Sequence, residues 1–223
     1  MRILLRGLAV LVTAFPLAAD PIDATFTGVN GDSAFGYYVG PYYGDLGTQA
    51  VVLDCVDFAN DVYFGEQWYA NLSSIETAQD LLNTRYGSLP DALQLYQEAA
   101  WLTQQYALNP RSDYADIQAT IWQLFDPSAP SPSTNFWLYR AQANYMFGDY
   151  SDFFVVTNIG PVMPTGQVQE FLTVLDPSMP IYPDPPTNPG NVLATPEPPL
   201  MGMIGLGLVT IAVLARSWLR RPP

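Results

Sequence analysis

The 223-residue sequence predicts an α+β fold, a β-barrel or sandwich with a helical insert. Three observations predict it. Residues 49–58 alternate as a half-buried strand does, with Val51, Leu53 and Cys55 on one face. Residues 90–107 and 112–125 carry apolar residues at helical spacing. Residues 152–159 and 168–175 then return to strand patterning, so strands enclose helices.

Taken in order, residues 35–43 are dominated by aromatic residues and Gly and lead into the Cys55 strand. Ser73 or Ser74 is expected to cap a short helix through Leu82. Pro90-Asp91 opens a longer helix through Ala107, with Leu93, Tyr96, Ala100 and Gln104 at helical spacing. The next helix starts at Ser112 or Asp113 and stops at Asp126-Pro127; Ile117, Ile121, Leu124 and Phe125 form its apolar stripe. Gln118 and Trp122, one turn apart, lie on the edge of that stripe. A fourth helix is expected over 135–146, and the last strand alternates Val168, Glu170, Leu172 and Val174.

The two ends read as addresses. Arg2 and Arg6 precede an apolar run from Leu8 to Leu17 and the small residues Ala18 and Ala19, so residues 1–19 read as a signal peptide and the chain as exported. The folded domain is then 20–178. Residues 179–195 are proline-rich without hydrophobic period and form an extended linker. Leu200 to Ala215 is an uncharged apolar stretch, about 24 Å as a helix, expected to hold the chain in the inner membrane. Arg216, Arg220 and Arg221 follow it and place the C-terminus in the cytoplasm.

Composition excludes several functions. Every basic residue is Arg, and outside the terminal segments only Arg85, Arg111 and Arg140 stand against the chain's 21 acidic residues. Such a domain repels phosphate backbones, so nucleic acid is not an expected partner. The chain has no Lys and no His, which removes the usual neutral-pH base, and its single Cys excludes an internal disulfide. Asp54, Asp57 and Asp61 lack the Gly and Glu positions of a calcium loop. No metal, cofactor or catalytic residue is assigned, and the chain is not read as an enzyme.

Thr195-Pro196-Glu197-Pro198, the apolar span and the terminal Arg cluster resemble the PEP-CTERM sorting signal. The resemblance covers 196–223 and implies a membrane-held intermediate that an exosortase processes near Pro196, Glu197 and Pro198. The protein would then be released to the cell surface or extracellular matrix.

Within the domain, Cys55, Ala100-Trp101 and Ile117-Gln118-Ala119-Thr120-Ile121-Trp122 resemble the Cys-Gln thioester domains of bacterial surface proteins. The hydrophobic-Gln-x-x-hydrophobic-Trp motif is met at each specified position. The resemblance covers roughly Val51 to Phe125 and implies a thioester between Cys55 and Gln118. We expect Trp101 and Trp122 then to shield that bond from water. A protein so armed is expected to act as an adhesin that couples to an amine or hydroxyl of a surface protein or polysaccharide. The alternative is a non-covalent structural or carbohydrate-binding module that uses its Tyr and Trp for contact.

Overall fold

A computed structural model describes residues 21–160 and 167–175. The segments expected to be a signal peptide, a linker and a membrane span, with Pro196, Glu197 and Pro198, lie outside the described residues. Among the described residues, no helix is long and apolar enough to cross a membrane.

The core of the fold is a closed six-stranded barrel, the first of the two α+β alternatives expected, barrel or sandwich. Its strands are β1 (Ile22–Val29), β4 (Tyr42–Leu46), β5 (Gln49–Cys55), β6 (Gln67–Ser74), β7 (Phe153–Asn158) and β8 (Phe171–Val174). All pairings are antiparallel, in the order β1-β4-β5-β8-β7-β6, and β6 returns to β1. Closure leaves the barrel, among the described residues, without an open sheet edge. A hairpin of β2 (Ser33–Ala34) and β3 (Tyr37–Tyr38) stands between β1 and β4.

Alternation along each strand fills the barrel with side chains. Phe26 packs edge-on against Tyr42 and Tyr42 edge-on against Phe171, Trp68 lies tilted against Phe171, and all four are buried. Gly44 is needed here: a Cβ at that position would come within 2.5 Å of Leu53 Cδ1 and 2.7 Å of Thr25 O. The register of β1 on β4 shifts between Phe26 and Gly28, a bulge of the kind that bends a strand around a small barrel.

The insert between β6 and β7 contains α1 (Ala92–Leu108), α2 (Tyr114–Phe125) and α3 (Phe136–Asn144). The first two follow the expected boundaries closely. The short helix expected from Ser73 or Ser74 is not there: both residues end β6, and only a 3-10 turn, Asp80–Asn83, follows. The barrel overrides the serine signal, because β6 must pair with both β1 and β7 to close the sheet. The last strand is shorter than expected and is buried on both faces, with Glu170, Phe171 and Leu172 all inaccessible to solvent.

Candidate functional site

Cys55 is the last residue of β5 and is paired with Phe171 of β8. It shares the barrel-facing side with Val51 and Leu53, and its exposure is 0%. Helix α2 crosses this strand end. One helical turn separates Gln118 from Trp122, so both side chains leave the same face, and both arrive at Cys55. Gln118 Nε2 donates to the Cys55 carbonyl oxygen at 2.8 Å, and Trp122 Nε1 donates to Cys55 Sγ at 3.4 Å. The thiol in turn donates to the Asp57 carbonyl at 3.3 Å.

The other end of the Gln118 carboxamide is also held. Tyr106, near the end of α1, donates its hydroxyl to Gln118 Oε1 at 2.9 Å. Tyr106 is itself fixed by Tyr114, whose ring meets it edge-on at 4.8 Å and whose hydroxyl donates to the Tyr106 carbonyl at 2.9 Å. A buried carboxamide with both polar atoms paired has one orientation. Its carbonyl carbon therefore stands at a fixed place beside the sulfur-bearing residue, with a hydroxyl directed at the oxygen where charge collects during nucleophilic attack.

Burial sets the protonation states. It pushes the Cys55 thiol up to about 12, against an opposing contribution from the Trp122 N–H and then the Arg85 charge. The sulfur therefore rests as a neutral thiol. Burial, followed by the neighbouring Asp54 charge, raises the Tyr106 phenol well above its ordinary range, so it remains a hydrogen-bond donor.

A buried ionic cluster anchors the strand end. The Asp57 carboxylate pairs with Arg85 and accepts from Tyr86 Oη at 2.9 Å, Asn60 Nδ2 at 2.9 Å and the Ala59 N–H at 3.0 Å. Glu170 accepts from Tyr96 Oη at 2.5 Å, Thr157 Oγ1 at 2.6 Å and the Arg85 N–H at 2.8 Å. Both carboxylates have 0% exposure. Saturated hydrogen bonding marks them as structural: they tie the loop after Cys55 to β7, β8 and α1. Among the described residues, no cluster of His, Cys, Asp and Glu has the makings of a metal site.

The aromatic cover over the sulfur is drawn from three elements. Trp122 meets Phe58 at 5.2 Å and Tyr37 of the β2–β3 hairpin at 5.9 Å, and Tyr37 meets Phe58 at 5.1 Å. Trp101 is placed differently. It is half-buried on α1, with the Arg140 guanidinium of α3 over its ring at 5.9 Å. The structure thus brings Cys55, Gln118 and Trp122 together, and sets Trp101 against α3.

Sequence reasoning missed Tyr106, Tyr37 and Phe58. A signal for Tyr106 exists: Tyr96, Ala99, Thr103 and Tyr106 continue one helical stripe, and all four are buried. Tyr37 and Phe58 come from loop-rich segments whose approach to Trp122 is set by tertiary structure alone. No family model matches the chain, and no curated protein or solved structure matches it either.

Proposed function

We propose that the protein is an exported surface protein whose domain forms an internal thioester between Cys55 Sγ and Gln118 Cδ, used for covalent attachment to an amine or hydroxyl. The observation that carries this reading is the two-ended grip on Gln118. Its nitrogen is held by Cys55 itself and its oxygen by Tyr106, while Trp122 directs its N–H at the Cys55 sulfur.

In the forming step the sulfur adds to Cδ, and the carbonyl electron pair moves onto Oε1, where the Tyr106 hydroxyl stabilises it. The C–N bond then breaks, and the nitrogen leaves as ammonia with the former thiol proton. Holding the two residues in one buried site, with the Gln118 amide on the Cys55 carbonyl, replaces a bimolecular encounter; for well-oriented groups that advantage is roughly 10⁵ M or more in effective concentration. No cofactor takes part. The product is a stored acyl group: an incoming amine attacks Cδ, forms an amide and returns the Cys55 thiol. The chain has no Lys, so no side-chain amine of its own competes for the bond.

Methylamine is the test. It is expected to label Gln118 as the methylamide in the native protein and to expose one thiol per label, and Cys55→Ala is expected to take up none. Equal labelling of wild type and Cys55→Ala contradicts the proposal.

The tail supports an exosortase-dependent route: a Pro196-Glu197-Pro198 motif, an apolar span and terminal arginines. Glu197→Ala in the native host is expected to leave full-length protein in the inner membrane. Normal maturation of that variant favours a plain anchor. A non-covalent structural or carbohydrate-binding role has one observation in its favour, the exposed rings of Phe136, Tyr139 and Phe147 on and just after α3. Polysaccharide binding that survives Cys55→Ala supports that role.

A further inference from the structure

The two reacting residues are sealed from solvent. Cys55 and Gln118 have 0% exposure and Trp122 over them has 2%, yet an acceptor amine has to reach Gln118 Cδ. Part of the cover must open, and the packing shows which part is free to do so. On the barrel side Cys55 is paired into β8, and on the helix side Gln118 is held by Tyr106, with Tyr114 behind it. Opening either side would pull apart strands or helices of the core. The remaining cover is Trp122 and, outside it, the half-buried rings of Tyr37 and Phe58. Phe58 stands between Asp57 and Ala59, which the Arg85 cluster ties down. Tyr37 belongs to the β2–β3 hairpin, outside the barrel.

That hairpin is firm at its base and lightly held at its tip. At the base Tyr38 and Val39 are buried, and Tyr42 donates its hydroxyl to the Tyr38 carbonyl at 2.9 Å. Gly40 lies so close to the start of α2 that a Cβ there would come within 2.6 Å of the Tyr114 ring. Towards the tip each strand has two residues, with Ala34 paired to Tyr37. The turn between them is Phe35-Gly36, with φ of 58° and 89°, and Phe35 is 45% exposed. The first strand is tied to the helical insert by Asp32 and Arg111, 3.5 Å apart, and the Arg111 side chain is 64% exposed. A surface pair of this kind holds weakly.

We propose that the tip of the β2–β3 hairpin is the gate through which an acceptor amine reaches the Cys55–Gln118 bond, and that the Tyr37 ring sets the size of amine admitted. The inference rests on the thioester reading. With Tyr37 against Trp122 and Phe58, three rings lie between the sulfur and water. With Tyr37 swung out, Trp122 keeps Phe58 as its ring partner and is free to turn from the sulfur. The amine then attacks Cδ, the C–S bond breaks, and a proton of the amine passes to the sulfur, leaving an amide and the Cys55 thiol. Barrel and helices stay in place throughout, so a sealed bond reacts without unfolding.

The test compares methylamine with cyclohexylamine on mature protein whose intact mass shows that the bond has formed. Thiol release gives each rate. The ratio of the two rates in one protein cancels the intrinsic reactivity of the amines when proteins are compared, so a change of ratio reads access. Wild type is expected to favour methylamine. Tyr37→Ala should reduce that preference roughly tenfold or more, the scale on which a tight apolar fit discriminates, and Tyr37→Phe, which keeps the ring, should match wild type. A urea series below the unfolding transition separates the gate from unfolding. Lifting a hairpin tip exposes little surface, so the wild-type methylamine rate should stay nearly flat, whereas reaction through global opening rises with the slope of the global transition. That series decides if Tyr37→Ala does not fold. An unchanged ratio in Tyr37→Ala, or a wild-type rate that climbs at the global slope, overturns the gate while leaving the thioester intact. A wild type that carries its full sequence mass overturns the thioester reading instead.

Discussion

Replacing Asp54 with Asn is expected to remove a pH dependence from folding stability, and the size of the effect follows from the burial of one carboxyl. Folding raises the Asp54 pKa from 3.8 to about 7. The native state therefore holds a proton that the unfolded chain releases across that window. Stability from this group is fully present below pH 3.8, declines as pH rises through the window, and is lost above about 7. At about 1.4 kcal/mol for each tenfold step, the loss is about 4 kcal/mol. Asn is nearly isosteric with the protonated acid and has no charge to release, so the variant lacks this slope. The comparison belongs in a Cys55→Ala background, where no thioester alters the covalent state. Urea unfolding from about pH 4 to about pH 8 gives the two stability curves. They should converge at the acid end and separate by about 4 kcal/mol, with Asp54→Asn the more stable, at the alkaline end. Curves that run parallel would refute the claim that Asp54 is a buried, raised acid.

Other parts of the site give separate expectations. Tyr106→Phe removes one buried hydrogen bond and should lower stability by about 1 to 2 kcal/mol in urea unfolding, an effect far smaller than its effect on ammonia loss. An equal retention of thioester formation contradicts the role of its hydroxyl. Arg85→Met leaves Asp57 buried without its cation and should cost about 3 to 5 kcal/mol by the same measurement, whereas a neutral result shows that the cluster does not anchor the strand end. Trp122→Phe loses the N–H directed at the sulfur and part of the cover shared with Tyr37 and Phe58. Its methylamine reaction and its hydrolysis should both be faster than wild type, followed by thiol release, and an unchanged lifetime removes Trp122 from the shield.

The legible part of the site was the part written at short range. Gln118 and Trp122 are spaced by one helical turn, and Val51, Leu53 and Cys55 by strand alternation, so each face could be read from its own segment. Their meeting at one sulfur depends on α2 crossing the end of β5, a long-range contact that local pattern does not encode. Tyr106 belongs to a helix whose stripe was read as Leu93, Tyr96, Ala100 and Gln104, a phase in which position 106 is silent. Asp54 was hidden by its chemistry, because an aspartate on a strand reads as a solvated outward residue until helices cover that face. The serines at 73 and 74 misled for a related reason. A cap signal is worth about 1 kcal/mol, less than the pairing of β6 with two neighbours that closes the barrel. Trp101 entered with Ala100 through the resemblance to thioester domains, and the partner of its ring, the Arg140 guanidinium of α3, is a long-range contact that local pattern does not encode.

The central claim is that Cys55 and Gln118 form a covalent bond, and the intact mass of the native mature protein tests it most directly. Expulsion of one ammonia should leave the wild type about 17 Da below the mass of its sequence, with Cys55→Ala and Gln118→Ala each at full mass. A wild type at full mass, whose Cys55 is alkylated once the chain is unfolded, contradicts the account and leaves a buried, inert cysteine in a surface module.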